Sequence, residues 1–324
     1  MSKYKIVFAD YYYADLNAEM EELKALGEDV EILDLTKVVP GGVKDPRKLI
    51  EYAKDADAII VQFATINAEF INALEKCKVI ARYAIGVDTI DLNAAKQKGI
   101  RVANVPDYCV DEVADTAAAH ILNAARKISS TRDMLLNGDF EMNRAGSIFR
   151  LEESTLGLLG FGNVARNLYK KMRGFFKRVI AYDPYFKDTA SYPDVEFKSL
   201  DDVLRESDVV SIHVPLSDAT RGMISGEQFA LMKKRAIIVN TARGGLIDEA
   251  AMVDALNSGK IAFCGLDVIC GEDFEHSVLL HHPRIALSPH VAWRSEEAQA
   301  ELQRKVARNV VSALLTGDPI YSVV

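Results

Sequence analysis

The chain has 324 residues, of which 49% are hydrophobic, and a formal net charge of −8. A chain of this length is too long for one ordinary hydrophobic core, which predicts two α/β domains. The negative charge argues against a general nucleic-acid surface, which needs clustered Lys and Arg. No apolar run reaches membrane-spanning length, and residues 1–5 lead into a short strand, not a signal peptide. The four cysteines have neither metal-ligand nor disulfide spacing, so we expect reduced thiols in a cytoplasmic protein.

Short apolar runs alternate with helical patterns over the first hundred residues. Strands are predicted at 5–9, 30–33, 58–61 and 79–81, and helices at 17–26, 46–53, 67–74 and 91–98. This alternation is typical of a parallel sheet that is covered on both faces. The region has no glycine-rich phosphate loop, so we expect a domain that does not hold a dinucleotide.

The rest of the chain repeats this alternation with longer helices. After a strand and exit turn at 102–106, apolar residues at helical spacing predict one long helix over 110–136, ended by Gly138, with a length suited to bridging two domains. Residues 139–153 are predicted to be polar and irregular. A last helix over 295–315 is long enough to return to the first domain. Further strands are predicted at 209–212, 236–240, 262–266 and 285–287.

A glycine turn between two apolar runs organises the second half of the chain. Residues 155–159 are typical of a buried strand, a helical pattern follows the turn, and a second strand at 179–182 ends on Asp183. Strand, glycine turn, helix, strand and acid is the order of a dinucleotide-binding unit, in which the helix N-terminus faces the pyrophosphate. A purely structural turn is the alternative, and the acid at this spacing argues against it. The predicted cofactor contacts are Gly160, Phe161, Gly162, Asn163, Val164 and Asp183.

Asp183 also predicts the type of dinucleotide. Its carboxylate would accept hydrogen bonds from the adenosine ribose hydroxyls and would repel a 2′-phosphate. Lys187 is the only cation nearby in the sequence, and no arginine accompanies it. We therefore expect a preference for NADH over NADPH.

Polar residues follow three of the later strands. Arg243 stands among small residues, where it can grip a carboxylate in bidentate fashion, Glu272 lies in a loop, and His290 follows a proline. Singly, each has an ordinary explanation: a surface cation, a solvated acid and a hydrogen-bonded imidazole. Together, beside a nicotinamide site, they would supply a substrate clamp, a carboxylate that tunes a base, and a general acid/base.

Several stretches together carry a resemblance to a known family: residues 82–92, the glycine turn, 213–223, 232–249, 265–272 and 289–293. On these stretches, which extend over nearly the whole chain, the protein resembles the D-isomer-specific 2-hydroxyacid dehydrogenases. The resemblance implies an α/β fold of two doubly wound parallel-sheet domains of Rossmann or flavodoxin type. The NAD-binding domain (residues 102–292) would be inserted into the substrate-binding domain (residues 1–101 and 293–324).

The resemblance also implies roles for individual residues. Arg243, Glu272 and His290 would be the catalytic set, and backbone N–H groups around Ile85 and Gly86 would hold the substrate carboxylate. Two departures are Ala84, where many members have glycine, and Asp273, where many have proline. No metal is implied. Further NAD contacts would come from His213, Val214, Pro215, Thr220, Thr241, Ala242, Arg243, Asp267 and His290.

The expected reaction is reversible hydride transfer between NADH and the carbonyl carbon of a small 2-oxo acid, which gives a D-2-hydroxy acid. Arg243 would bind the carboxylate and polarise the carbonyl oxygen, and His290 would exchange the proton on that oxygen. Glu272 would hold the imidazole and favour its charged form. Phe63, Tyr83 and Trp293 are candidate walls of an apolar pocket for the substrate side chain. The resemblance also suggests a homodimer formed through the cofactor domains near the long helix.

A second class of function remains open. Residues 289–293, with the Ser-Glu pair at 295–296, resemble the subgroup of C-terminal-binding proteins, some of which are NAD(H)-responsive transcriptional corepressors. The chain could therefore be an NAD(H)-sensing binding protein with little turnover. No disordered tail and no basic or recruitment segment is expected from the sequence, so we favour the enzyme.

Overall fold

The structure is a computed structural model that describes residues 3–146 and 148–324. The chain divides into two compact units. Unit 1 comprises Met1–Tyr108 and Ser295–Val324, and unit 2 comprises Cys109–Arg294. The boundaries predicted from the sequence lie a few residues earlier, after 101 and after 292.

The N-terminal part of unit 1 is a five-stranded parallel sheet with four helices. The strands pair in the order β2-β1-β3-β4-β5, which is the flavodoxin-like order and confirms the predicted doubly wound sheet. The strands are β1 (Tyr4–Phe8), β2 (Val30–Asp34), β3 (Ala58–Val61), β4 (Val79–Arg82) and β5 (Arg101–Ala103), and the helices are α1 (Asn17–Leu23), α2 (Pro46–Ala53), α3 (Ala68–Ala73) and α4 (Leu92–Lys98).

Capping residues set the ends of these helices. The Asp45 side chain accepts hydrogen bonds from two backbone N–H groups at the start of α2, and Asn67 and Asp91 do the same for α3 and α4 with one each. Gly99 ends α4 with a φ of 73°, a conformation in which glycine carries no Cβ penalty. The helix positions predicted from the sequence are confirmed because these local signals and the apolar periodicity agree.

Unit 2 contains a seven-stranded parallel sheet. Its order, β12-β11-β10-β9-β6-β7-β8, reverses between β9 and β6, so the first strand of the unit lies at the topological switch point of a Rossmann-type sheet. The strand β8 was not predicted. The strands are β6 (Thr155–Leu159), β7 (Arg178–Tyr182), β8 (Val195–Phe197), β9 (Val209–Ile212), β10 (Ala236–Asn240), β11 (Ile261–Leu266) and β12 (Ile285–Leu287).

Helices cover both faces of this sheet. Leu158 belongs to the core beneath α5 and α7, while its neighbour Leu159 belongs to the core beneath α8, α9 and α10, as expected when successive side chains point to opposite faces. The sequence analysis did not predict the last three of these helices. The helices are α5 (Val110–Arg126), α6 (Ile128–Leu136), α7 (Asn163–Met172), α8 (Leu200–Glu206), α9 (Gly226–Leu231) and α10 (Glu249–Asn257).

The single helix predicted over 110–136 is wrong, because Lys127 adopts a φ of 55° and separates α5 from α6. The Asn123 side chain accepts a hydrogen bond from the Ser129 N–H, and the Lys127 ammonium donates to the Ala145 carbonyl, so tertiary contacts replace the helical ones. Beyond α6, the described residues up to 153 form only two short 3₁₀ helices, and several large apolar side chains there are exposed. Among the described residues no helix combines the length and apolarity that a membrane crossing requires.

The last helix, α11 (Glu296–Thr316), belongs to unit 1, as the sequence analysis expected. The Ser295 side chain caps its start by accepting from the Ala298 N–H, and Gly317 ends it. It packs against α1 and β4 and buries Leu302, Val306 and Val310. A continuous hydrophobic stripe therefore fixes α11 to the N-terminal sheet.

Candidate active site

The predicted site residues of unit 2 follow strands at one edge of its sheet. All seven strands are parallel, so their carboxyl ends share that edge. In the observed order, from β12 to β7, the residues at this edge are His290, Asp267, Arg243, His213, Gly160 and Asp183. The carboxyl edge at a switch point is where open α/β sheets bind ligands.

The glycine turn after β6 is shaped for a close-lying ligand. Gly160 has a φ of 86°, and a Cβ there would lie 2.8 Å from the His213 carbonyl oxygen, so only glycine fits. Gly162 faces open space, with nothing within 4 Å of a Cβ built on it. No side chain caps the start of α7 at Asn163. The first N–H groups of α7 and the positive end of its dipole are therefore available to a pyrophosphate.

Asp183 supports this turn directly. Its Oδ2 accepts the Phe161 N–H at 2.8 Å, and its Oδ1 accepts the N–H groups of Tyr185 and Phe186. Phe161, which was predicted as a cofactor contact, has a fully buried ring that packs against Tyr192. Its side chain thus belongs to the core, and its N–H links the turn to the acid.

Arg166 is a site residue that the sequence analysis missed. Its guanidinium donates to the Phe161 carbonyl and to the Asn163 side chain, and it stacks over the Phe186 ring at 5.5 Å. Lys187 is thus not the only cation near Asp183. The sequence signal that could have found Arg166 is its position four residues after Gly162, which places it one helical turn into α7.

The loop after β9 lies beside the turn and is held by two hydroxyl groups. The His213 ring contacts the Ser211 hydroxyl at 2.8 Å, and its burial lowers its pKa to about 4, so the imidazole is neutral at pH 7. The Val214 side chain also lies close to Gly160, because its Cγ1 would be 3.1 Å from a Cβ at that position. The Thr220 hydroxyl closes the loop by donating to the Pro215 carbonyl at 2.6 Å.

The segment after β10 is fixed by Asn240. The Asn240 amide accepts the Ala242 N–H and donates to the Arg243 carbonyl, and the Arg243 guanidinium donates to the Ala242 carbonyl at 2.7 Å. The Thr241 hydroxyl is buried and has no hydrogen-bond partner among the described residues. Such an orphaned hydroxyl at the sheet edge is a polar group that a ligand can satisfy.

Glu272 and His290 form a close pair. The His290 Nδ1 lies 2.6 Å from the Glu272 Oε1, and both side chains remain partly exposed. Both backbones are left-handed, with φ of 55° at Glu272 and 51° at His290, and only two other non-glycine residues in the described part of the chain share this feature. Strained backbone of this kind clusters at functional sites.

Arg243 belongs to a neighbouring segment of the same edge. Gly244 lies against the backbone at residues 269–270, where a Cβ would come within 2.0 Å of the Ile269 carbonyl carbon. The loop that carries Arg243 is therefore in backbone contact with the loop that leads to Glu272. The loops of the predicted set thus adjoin one another, with the Glu272–His290 contact on one side and Arg243 next to it.

Asp267 and Trp293 both hold the His290 loop. Asp267 is fully buried, and its carboxylate accepts N–H groups from residues 291 and 292. It was predicted as a cofactor contact, but these bonds give its side chain a role within the protein. The Trp293 indole donates to the His290 carbonyl at 3.0 Å.

Unit 1 offers a backbone anion site after β4. The carbonyl oxygens of Ile85 and Gly86 accept from Asn104 and Arg82, whereas their own N–H groups have no acceptor among the described residues. Two such N–H groups in succession are suited to a carboxylate.

The two predicted pocket walls of unit 1 differ. Tyr83 is buried, and its hydroxyl donates to Glu19 at 2.5 Å, so its ring is not exposed as a pocket wall. Phe63 is 46% exposed and therefore remains a candidate wall, with the Lys44 ammonium 5.0 Å from its ring centre. Among the described residues no group of three His, Cys, Asp or Glu side chains could hold a metal ion.

Comparisons with known proteins agree with this geometry. Residues 118–292 match the family described as D-isomer specific 2-hydroxyacid dehydrogenase, NAD binding domain. Over 313 residues the chain is 37% identical to a D-3-phosphoglycerate dehydrogenase of Methanocaldococcus jannaschii. This aligned region is 96% of this chain and 57% of that protein. Over 298 residues it is 37% identical to a hydroxypyruvate reductase of Thermotoga maritima. This aligned region is 91% of this chain and 92% of that protein. Among solved structures, a glyoxylate reductase from Paecilomyes thermophila matches with a TM-score of 0.87 and 29% identity, over 100% and 99% of the two chains.

Proposed function

Because this chain belongs to the family of D-isomer specific 2-hydroxyacid dehydrogenases, we propose that it is an NAD-dependent oxidoreductase that interconverts a small 2-oxo acid and its D-2-hydroxy acid. The observation that carries this proposal is the His290–Glu272 pair, held at 2.6 Å on the sheet edge that also bears the dinucleotide turn. Bound NAD supplies the hydride chemistry. The residues of the chain supply binding, orientation and the proton.

His290 is the proton donor and acceptor in this proposal. Its Nδ1 faces Glu272, so Nε2 is the ring nitrogen left for the substrate. In reduction, the carbonyl carbon receives the hydride and the carbonyl oxygen takes the Nε2 proton. In oxidation, Nε2 removes the hydroxyl proton. The Glu272 carboxylate keeps the ring in the orientation and tautomer that this exchange requires and stabilises its charged form.

Each unit offers one proposed anion-binding element. Arg243 offers a guanidinium on a loop that Asn240 and Gly244 hold in place, which suits bidentate binding. The unbonded N–H groups of Ile85 and Gly86 form a second anion-binding element, in unit 1. Phe63 and Trp293 remain the proposed apolar contacts of the substrate side chain.

Three observations support binding of the dinucleotide at the turn after β6. Gly160 and Gly162 leave room for the pyrophosphate, the N-terminus of α7 has no side-chain cap, and Arg166 adds a cation at the same place. The Asp183 Oδ2 accepts one hydrogen bond, from the Phe161 N–H, and can accept a second one from a ribose hydroxyl. The buried Thr241 hydroxyl is proposed as a further contact.

We also retain the homodimer as part of the proposal. Unit 2 exposes large apolar side chains along α6 and the segment that follows it, which is unusual unless another surface covers them. Light scattering after size exclusion should show a dimer, and a variant with Phe140→Arg and Met142→Arg should be monomeric. The exposed apolar residues are Ile128, Leu135, Leu136, Phe140, Met142, Ile148 and Phe149.

The proposed location is the cytoplasm. The four cysteines are free thiols, and Cys270 is exposed. An exposed free thiol persists in a reducing compartment. Fractionation of the source cells would test this, and recovery with a secreted fraction would contradict it.

The test of the function is NADH oxidation with a panel of 2-oxo acids. The panel should contain glyoxylate, pyruvate, hydroxypyruvate, acids with long apolar side chains, and acids with a second anionic group, because Lys44 lies beside Phe63. Turnover above about 1 s⁻¹ on at least one acid supports the enzyme. Tight NADH binding with turnover well below this on every acid would instead favour the NAD(H)-sensing protein.

A further inference from the structure

The loop after β12 holds His290 in a conformation that its own sequence does not favour. A left-handed backbone is unfavourable for a residue with a Cβ, and His290 adopts it with a φ of 51°. The surrounding structure must therefore supply the contacts that fix this geometry. The His290 N–H donates to the Asp267 carbonyl at 2.8 Å, and the Asp267 carboxylate accepts the N–H groups of Val291 at 3.1 Å and Ala292 at 2.9 Å.

The Asp267 carboxylate is itself the end of a longer chain of hydrogen bonds. The Ser288 hydroxyl donates its proton to the Asp267 Oδ1 at 2.6 Å. The His120 Nε2 lies 3.1 Å from the same hydroxyl oxygen. Since a serine hydroxyl has only one proton, His120 must be the donor in that contact. The chain therefore runs from His120 through Ser288 to Asp267, and from there to the backbone that follows His290.

His120 is built into this position. Its imidazole is buried on α5, and a Cβ on Gly265 of β11 would lie 2.6 Å from the His120 Cβ, so the strand has a glycine where the histidine packs. One turn earlier on α5, the Thr116 hydroxyl contacts the Ala292 carbonyl at 3.5 Å. Burial lowers the pKa of His120, while nearby Asp267 acts in the opposite direction. A neutral ring with its proton on Nε2 satisfies the chain at neutral pH.

We infer that His120 and Ser288 are positioning residues for the proposed reaction. Acting through Asp267, they hold the backbone at His290 so that the imidazole faces Glu272 with Nε2 directed outward. This inference rests on the proposed function, in which His290 transfers the proton. Neither residue contacts the substrate or the cofactor in this account. They act only through the conformation of the His290 loop.

Paired variants at His120 separate positioning from packing. His120→Gln keeps an N–H donor at about the same reach, and His120→Leu keeps comparable bulk without a donor. The Leu variant should lower kcat about ten- to a hundredfold with the Kd for NADH within about twofold, because misplacement of a reacting group lowers the rate of the chemical step. The Gln variant should recover most of the activity. Equal kcat in both variants would overturn the inference.

Ser288→Ala is a smaller change that tests the same chain where a His120 variant fails to fold. Its effect should depend on His290: kcat falls about tenfold in the wild-type background, but no further in a His290→Gln background, because the two residues act as one unit. An equal loss in both backgrounds would show that Ser288 acts elsewhere and would leave the proposed function standing. A His290→Gln variant with normal kcat would instead contradict the proposed function itself.

A spectroscopic readout tests the chain without turnover. The 2.6 Å contact between His290 and Glu272 should give a downfield Nδ1–H proton resonance, assigned by its disappearance in His290→Gln. Ser288→Ala and His120→Leu should shift or broaden this resonance, whereas His120→Gln should restore it. An unchanged resonance in all of these variants would contradict the inference.

Discussion

The two units carry the same kind of parallel sheet, but the carboxyl ends of their first strands differ. At the end of β1 in unit 1, the carboxylate of Asp10 is buried and accepts the backbone N–H groups of Gln62, Phe63 and Ala64. At the end of β6 in unit 2, the corresponding place has a glycine turn and the uncapped start of α7. At the end of its first strand, unit 1 therefore satisfies backbone N–H groups with its own acid, whereas unit 2 leaves the first N–H groups of α7 for a ligand.

The acids near the two sheet edges also differ, in their exposure and in their partners. Glu19 of unit 1 is buried and bonded to Tyr83 and Gln303, and burial raises its pKa. Glu272 of unit 2 is 45% exposed in its side chain and is paired with an imidazole that is 32% exposed. A buried acid with internal partners stabilises a fold, while an accessible acid–base pair is available for chemistry. The comparison teaches that the fold alone does not make a site, because the site depends on which polar groups are left open.

The largest expected effect separates the pair in unit 2 from an ordinary histidine–carboxylate contact. His290→Gln should lower kcat by about two to four orders of magnitude, because it removes the proton donor while the NADH site is intact. Steady-state kinetics and a fluorescence titration with NADH measure the two quantities.

The matched control for this variant is His276→Gln, since His276 also pairs with a carboxylate, that of Asp273 at 2.9 Å, but on the exposed surface. This control should keep its kcat. A His290→Gln variant with near-normal kcat would remove histidine from the mechanism.

The second prediction tests the acid at the dinucleotide turn. The wild-type protein should prefer NADH over NADPH by at least about tenfold in kcat/KM, equivalent to about 1.4 kcal/mol. Asp183→Asn removes the charge that repels a 2′-phosphate, so this preference should fall markedly. Arg166, which stacks over Phe186, then becomes a cation that a 2′-phosphate can use.

Asp188→Asn serves as the control, because it removes an exposed acid from the same segment. Equal efficiency of the two cofactors in the wild-type protein would contradict the assignment of Asp183.

The sequence predicted the edge positions of the site residues but not their backbone geometry. Strand ends are readable because apolar runs stop there, and this placed Arg243, Glu272 and His290 on one edge. The left-handed φ at Glu272 and His290 is not readable, since neither residue is a glycine or an asparagine. It depends on buried contacts between segments far apart in the chain, such as His120 with Ser288.

The same limit explains the errors in the fold. Apolar spacing continues through Lys127, so periodicity predicts an unbroken helix there, and the break comes from contacts with Asn123 and Ala145. Arg166 was missed beside Asp183 because the rest of α7 and the strand β7 separate them in sequence. Local signals predicted most elements with clear periodicity, but the short capped helices α8, α9 and α10 were missed, and tertiary contacts decided the break after α5.

The third prediction concerns the tuning of the pair. Glu272→Gln retains a hydrogen-bond acceptor for the His290 Nδ1 but removes the negative charge. The kcat for reduction should fall about tenfold, because the imidazolium that donates the proton loses its negatively charged partner. Asp273→Asn, at the neighbouring exposed acid, is the control. A kcat unchanged in Glu272→Gln would remove the role of the carboxylate and leave His290 as the proton donor.

The smallest expected effect tests the buried acid of unit 1. Burial raises the pKa of Glu19 above its value in the unfolded chain, even though hydrogen bonds from Tyr83 and Gln303 lower it. Stability from such a group is fully present below the unfolded pKa and is lost as the pH rises through the folded pKa. A neutral Gln at this position escapes that loss. The melting temperature of Glu19→Gln relative to wild type should therefore become more favourable between pH 5 and pH 8, by on the order of a few degrees.

Glu21→Gln is the matched control, because it removes the same charge from an exposed position on α1. Calorimetry of the three proteins across this pH range measures the differences. If Glu19→Gln and Glu21→Gln change with pH in the same way, burial does not govern the acid of unit 1. The contrast with Glu272 would then rest on the bonded partners of the two acids, since exposure would no longer distinguish them.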